Sequence, residues 1–128
     1  MNIEYIQPPD LPRPAAYSHV VKAGQTVYLA GQVPQDANGQ VVGRGDITAQ
    51  AEQVFQNLRS GLRAAGGDLQ NLVKITIFVT DPRFREAVGA VRTRYLQDPL
   101  PASTLVCVAA LAMPEWLLEI EGIAVLDG

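Results

Sequence analysis

Two glutamates near the end of the chain, Glu119 and Glu121, alternate with apolar residues. In a strand they would share one face, while Leu118 and Ile120 would point to the other. A carboxylate on an otherwise apolar strand is either a solvated sheet residue or a group that activates water in a cleft. If burial raised the pKa of Glu119 toward the working pH, this residue could serve as a general base. We therefore treat Glu119 as the candidate catalytic residue.

A second stretch with chemical potential runs through residues 101–108, where alternation places Ser103, Leu105 and Cys107 on one face. Ser103 is interpreted as a polar ligand contact, because no triad partner is visible. Cys107 is predicted on the cleft side, but nothing in the sequence lowers the pKa of its thiol. A small buried hydrophobic residue is therefore the stronger interpretation of Cys107.

Composition limits the classes of function that remain. The 128 residues are enough for one domain, 1–128, and a formal net charge of -3 gives no basic surface for nucleic acid. One cysteine and one histidine cannot form an internal disulfide or a His-rich metal site, so no metal or cofactor is predicted. No apolar run reaches membrane-spanning length and no secretory signal is visible. We expect a cytoplasmic protein with a small-molecule ligand and no membrane partner.

Two amphipathic helices and a set of strands would position these residues. Asp46 is a predicted N-cap for the first helix, which Gly66-Gly67 ends, and Asp81-Pro82 opens the second. Strands are predicted at 2–6, 17–22, 26–31, 73–79 and in the two C-terminal stretches, with turns at Ala23-Gly24-Gln25 and Asn38-Gly39. The order β-β-β-α-β-α-β-β predicts an α+β fold with two helices packed on one face of the sheet.

The other face of that sheet is expected to carry Tyr28, Leu105, Cys107 and Ile123. Such a face is too apolar to remain comfortably in water. Other subunits are therefore expected to cover it, which predicts a homo-oligomer. Any cleft lined by Glu119 would then lie near a subunit boundary.

Several stretches together resemble one family. Tyr17-Ser18-His19-Val20-Val21 and Ala30-Gly31-Gln32-Val33-Pro34 are similar to the opening signature of the RidA/YjgF (reactive intermediate deaminase A) family. Residues 73–79 and 118–124 extend the resemblance over nearly the whole chain. It implies a chorismate-mutase-like fold and a homotrimer with three clefts between subunits. The implied activity is hydrolysis of reactive imines or enamines to carbonyl compounds and ammonia.

The family's site residues carry over only in part. Tyr17, Gly31 and Glu119 match, and the resemblance implies that Glu119 positions water. Ser103 stands where deaminating members have an arginine that binds the substrate carboxylate, Val88 replaces a common asparagine, and Ala30 replaces a common serine. Since serine cannot form the paired charge-assisted hydrogen bonds of arginine, a neutral imine is expected to be a better substrate than an amino-acid-derived one.

Two functions remain open on the sequence. The first is hydrolysis of an imine, an enamine or a related labile C–N compound. The second is a non-catalytic trimer that binds a small molecule or regulates a partner. Tyr17 is interpreted as either a ligand contact or an interface residue, and Trp116 as either a cleft-rim or a packing residue. His19 could supply a proton, but a packing or surface role is favoured for it.

Overall fold

The computed structural model describes residues 2–127, which form one mixed six-stranded sheet in the order β1-β2-β3-β6-β4-β5. All neighbours are antiparallel except β4 and β5, which are parallel. Two helices pack on the sheet, so the predicted α+β class and element order are confirmed. The strands and helices are β1 Ile3–Ile6, β2 Val20–Ala23, β3 Thr26–Gln32, α1 Ile47–Ala64, β4 Leu72–Val79, α2 Arg85–Tyr95, β5 Ala102–Cys107 and β6 Leu118–Val125.

The helix boundaries follow from local capping chemistry. The Asp46 side chain accepts a hydrogen bond from the Ala49 amide at the start of α1. Beyond the end of α1, Gly66 has a φ of +92°, a conformation that glycine adopts without steric cost. Asp81 accepts from the Arg83 amide and begins a 3₁₀ turn, Pro82–Phe84, which leads directly into α2. The predicted N-cap and stop of α1 are thus confirmed, whereas Asp81 caps the 3₁₀ turn and α2 itself begins at Arg85 without a side-chain cap.

The core lies between the two helices and one face of the sheet. Its centre is β6, whose alternation buries Leu118, Ile120, Gly122 and Ala124. Each helix contributes the apolar side of an amphipathic helix, and the buried residues include Val54, Phe55, Leu58, Leu62, Val88 and Val91. The opposite face of β6, which we call the open face, carries Glu119, Glu121 and Ile123.

One predicted strand is shorter than expected. The second strand begins at Val20 rather than at residue 17, so Tyr17 and His19 lie in the segment before it. The reason is that β1 pairs only with Val20–Ala23, which leaves no strand partner on that side for residues 17–19. Faces cannot be assigned to Tyr17 and His19 by strand alternation.

The predicted orientation of β5 is wrong. In the parallel register Ser103, Leu105 and Cys107 lie beside Ile75, Ile77 and Val79, which face the helices. Leu105 packs against the core accordingly, and of the four residues expected on the open face only Tyr28 and Ile123 lie there. Cys107 is also exposed rather than buried, because β5 is an edge strand that is only lightly covered.

Candidate functional site

The site is built around a close approach between Glu119 on β6 and Gly31 on the neighbouring strand β3. The pairing of these strands is irregular between Leu29 and Gln32, so the backbone at Gly31 bulges under the glutamate side chain. A Cβ placed on Gly31 would lie 2.7 Å from the Cδ and 2.9 Å from the Cγ of Glu119. Gly31 does not have a positive φ. Glycine is therefore required here for space and not for backbone conformation.

The environment of Glu119 changes its acidity. Burial raises the pKa of the Glu119 carboxyl above its ordinary value, and the negative charge of Glu121 raises this pKa further. Phe78 lies beside Glu119 in the register of β4 and β6, and contributes an apolar neighbour. Glu121 is exposed. Of the two carboxylates, Glu119 is therefore the one whose surroundings favour its protonated form and thus a role in proton exchange.

A chain of hydrogen bonds joins the β3 bulge to His19. The His19 Nε2 donates to the Pro12 carbonyl oxygen at 2.7 Å, because that oxygen can only accept. The Nδ1 then accepts from the Gln32 side-chain amide at 3.1 Å. The same amide donates to the Ala30 carbonyl oxygen at 3.1 Å. Since both ring nitrogens are engaged and His19 is 3% exposed, it is a buried structural residue and not a free proton donor.

Tyr17 is positioned by this histidine. Its ring meets the His19 ring edge to face, with centroids 5.8 Å apart, and its side chain is 57% exposed. The His19 carbonyl oxygen also accepts from the Ala30 amide at 2.9 Å, which binds the Tyr17 segment to the bulge. Gly31 and Glu119 are thus in direct contact, and Tyr17 is joined to the β3 bulge indirectly, through His19.

Two buried polar residues of α1 hold the loops on either side of this site. Gln50 donates to the carbonyl oxygens of Gly43 and Glu115 and accepts from the Leu117 amide, one residue before β6. Asn57 donates to the carbonyl oxygens of Val33 and Gln35, just after β3. Their positions on the buried face of an amphipathic helix were a signal in the sequence, because buried amides need fixed partners.

Ser103 and Cys107 lie away from Glu119 in a single chain. They are on the helix face of the edge strand β5, whereas Glu119 is on the open face of β6, with β4 between the two strands. The Ser103 Oγ accepts a hydrogen bond from the Arg92 Nη1 of α2 at 3.1 Å. The predicted proximity of Ser103 and Cys107 to Glu119 is therefore not met within one chain, because the face of β5 that carries Ser103 and Cys107 turns toward the helices.

Trp116 and Val88 differ in how far the protein covers them. Trp116 is partly buried, and its Nε1 finds no hydrogen-bond acceptor among residues 2–127. Val88 is 1% exposed and belongs to the core under α2.

No cluster of three or more metal-ligating side chains occurs within the described part of the chain, and none of its helices is long and apolar enough to cross a membrane.

Comparison with known proteins places this arrangement in a family. The family model described as Endoribonuclease L-PSP matches residues 10–126. A 2-iminobutanoate/2-iminopropanoate deaminase from Mus musculus is 40% identical over 110 residues, covering 85% of this chain and 80% of the relative. The same activity names a Dermatophagoides farinae relative, 33% identical over 95% of both chains. The crystal structure of RidA from the Antarctic bacterium Psychrobacter sp. PAMC 21119 superimposes with a TM-score of 0.90, at 37% identity over 96% of this chain and 99% of that one.

The chain belongs to the RidA/YjgF family, and the resemblance seen in the sequence is confirmed. Its fold is that of the RidA structures. Tyr17, Gly31 and Glu119 match the family pattern; Gly31 and Glu119 are in contact at the β3 bulge, and Tyr17 is joined to the bulge through His19. Ser103, the position that departs from the pattern, accepts a hydrogen bond from Arg92, a residue that no sequence motif indicated.

Replacing Gly31 by alanine tests the close approach. The added Cβ should displace the Glu119 carboxylate and destabilise the protein by about 1–3 kcal/mol, as overpacking does. In a Glu119→Ala background the same replacement should cost much less, because the colliding side chain is gone. A double-mutant cycle measured by urea unfolding reports the coupling. Equal costs in both backgrounds would show that Gly31 and Glu119 are not in contact.

The raised pKa of Glu119 predicts a pH-dependent effect of Glu119→Gln. Because the folded state disfavours the ionised carboxylate, Glu119 contributes stability below its unfolded pKa and loses it as pH rises through the folded pKa. The glutamine variant should therefore be more stable than the wild type at pH 7.5, by less than about 1 kcal/mol since the group is partly solvated. The difference should shrink at pH 4. Urea unfolding at both pH values measures it, and a difference that does not change with pH would contradict the assignment.

Proposed function

We propose that this protein hydrolyses a reactive imine, enamine or related labile C–N small molecule. The observation that carries the proposal is the Glu119 carboxylate, held over Gly31 with a raised pKa and an apolar neighbour. The activity printed for the deaminase relatives supports the same reaction class.

Glu119 has the properties that this reaction requires. Hydrolysis adds a water oxygen to the imine carbon, passes a proton to the nitrogen, and breaks the C–N bond to give a carbonyl compound and ammonia. A carboxylate accepts the proton from water, and the resulting carboxylic acid returns it to the departing nitrogen. A raised pKa brings both protonation states closer to neutral pH. Tyr17 is proposed to contact the ligand, because its ring is exposed beside the same bulge.

The cleft is proposed to form between subunits of a homotrimer. The open face carries exposed Tyr28 and Val125 beside partly buried Ile123, an apolar surface that a second subunit would cover. Glu119 and Ser103 lie on opposite faces of the sheet in one chain, so a shared cleft needs Glu119 from one subunit and Ser103 from another. Ser103 and Cys107 remain proposed ligand contacts in that sense.

The proposal includes a cytoplasmic location and no nucleic-acid or membrane partner. One free, exposed cysteine is compatible with a reducing compartment. Although the family model carries the description endoribonuclease, the net charge of -3 gives no electrostatic attraction for RNA.

The second candidate is a non-catalytic trimer that binds a small molecule. Ser103 stands where the family commonly has an arginine, and buried Val88 stands where it commonly has an asparagine. The absence of both groups favours this second candidate.

The oligomeric state is the first test of the cleft. Light scattering or sedimentation at micromolar concentration should give about three times the chain mass of 13.8 kDa. Replacing Ile123 by aspartate on the open face should weaken the assembly, because the charge would be buried without a partner. An aspartate at exposed Val73 is the control. A stable wild-type monomer would overturn the intersubunit cleft.

Catalysis is tested with 2-iminobutanoate made in situ from 2-aminobutanoate by an amino-acid oxidase. Semicarbazide traps the remaining imine, so acceleration by the protein appears as reduced semicarbazone and faster release of ammonia. Glu119→Gln should lower the acceleration by about a hundredfold or more, since the amide cannot accept a proton. Glu121→Gln, on the same strand but exposed, should retain most of it. No acceleration by the wild type of either 2-iminobutanoate or a neutral imine would favour the non-catalytic candidate, and equal rates for Glu119→Gln and wild type would leave Glu119 with a structural role.

A further inference from the structure

A pocket separate from the Glu119 site lies where the C-terminal ends of the two helices meet. It has a volume of about 340 Å³ and is bounded by the last turns of α1, by Tyr95 at the end of α2 and by the loop 96–101. Buried Leu69 and Leu96 give it an apolar floor. Since the helices cover one face of the sheet and Glu119 projects from the other, the two sites belong to different surfaces.

Arg59 provides this pocket with a cation that the protein holds in place. Its guanidinium carbon lies 5.5 Å from the centroid of the Tyr95 ring, which is a cation–π contact. The Tyr95 ring in turn stacks on buried Phe55, with centroids 5.4 Å apart, so the core fixes the surface against which the guanidinium rests. Among residues 2–127, no carboxylate lies within ion-pair distance of Arg59. The planar donors of Arg59 are therefore available to a carboxylate that enters the pocket.

The other charged side chains of the pocket are one closed pair and one free carboxylate. The Arg63 Nε donates to the Asp68 Oδ2 at 3.0 Å, and Asp68 also accepts from the Leu69 amide, so this pair is satisfied within the chain. Asp98 lies on the exposed rim, with no cationic side chain within ion-pair distance in the part of the chain that the structure describes. Both helices end here, and their terminal carbonyl oxygens add partial negative charge that favours a bound cation.

We propose that this pocket binds a free α-amino acid as a zwitterion, with its carboxylate on Arg59 and its ammonium on Asp98. A simple anion would leave Asp98 unpaired beside it, and a simple amine would leave Arg59 unpaired, whereas a zwitterion complements both charges. The volume and the apolar floor suit an apolar side chain such as that of leucine. This site is independent of the proposed function, because it needs neither Glu119 nor turnover.

The direct test compares three probes that share one apolar side chain. L-Leucine carries both charges, 4-methylpentanoate lacks the ammonium, and 3-methylbutan-1-amine lacks the carboxylate. NMR titration of the wild type should show that leucine binds at least about tenfold more tightly than either analogue, since each analogue loses one charge-assisted contact. The backbone amide signals that shift should be those of Leu69 and of residues 95–98.

Variants of the two free charges test the assigned contacts. Arg59→Gln and Asp98→Asn should each weaken leucine binding about tenfold or more. Arg59→Lys should retain part of the affinity, because an ammonium keeps the charge but loses the planar fork. Arg85→Gln is the matched control and should bind leucine like the wild type. Arg85 is also exposed and lacks an ion pair among the described residues, but it lies at the opposite end of α2.

Four results would overturn this site. Absence of leucine binding by the wild type would refute it directly, and equal affinity for leucine and 4-methylpentanoate would define a simple anion site instead. Loss of leucine binding in Glu119→Gln would place the amino acid in the candidate catalytic cleft. Loss in Asp10→Asn but not in Asp98→Asn would place it in the adjoining pocket, which Arg59 also lines. Failure of the imine assay would count against the proposed function alone, because these measurements are of binding.

Discussion

The structure depends on the position of the last strand, β6, between β3 and β4. Small and apolar residues on one of its faces, Gly122 among them, allow the helices and core side chains to pack closely. A Cβ on Gly122 would lie 2.9 Å from the Leu72 side chain, closer than ordinary packing allows. Because alternate residues of a strand point in opposite directions, burying this face directs Glu119 and Glu121 to the open face. The packing of the core and the exposure of the candidate catalytic carboxylate are therefore set by the same strand.

The β3 bulge at Gly31 defines the candidate site next to Glu119. It places glycine backbone beneath the Glu119 side chain, and the neighbouring Gln32 is tied to His19, which supports Tyr17. His19 is thus important for position rather than for proton transfer. Gln50 and Asn57 of α1 hold the adjoining loops from the core side. A set of buried, fully bonded polar groups keeps the bulge rigid without itself facing a ligand.

Charge is divided between the two faces of the sheet. The open face presents a carboxylate, and the helix face of β5 presents the Arg92 guanidinium beside Ser103. A guanidinium close to Glu119 would lower the pKa of the carboxyl that burial raises. In a single chain the sheet keeps these two groups apart.

The sequence by itself determined the local structure where capping residues mark a helix end or where apolar and charged residues alternate. Asp46 and Gly66 marked the two ends of α1, Asp81 marked the 3₁₀ turn that leads into α2, and the alternation of apolar and acidic residues in β6 assigned Glu119 to the open face. The family motifs covered the chain in order, so the class of protein was also evident.

Only the tertiary structure decided the orientation of β5, the burial of His19 and the contact of Arg92 with Ser103. Both faces of β5 mix small polar with apolar side chains, so alternation alone cannot tell which face turns inward, and the parallel register with β4 settles it. His19 lies outside any strand, so its surroundings come from residues distant in the chain. Arg92 and Ser103 are joined across a helix and a strand, and such a contact depends on packing between elements rather than on any local pattern.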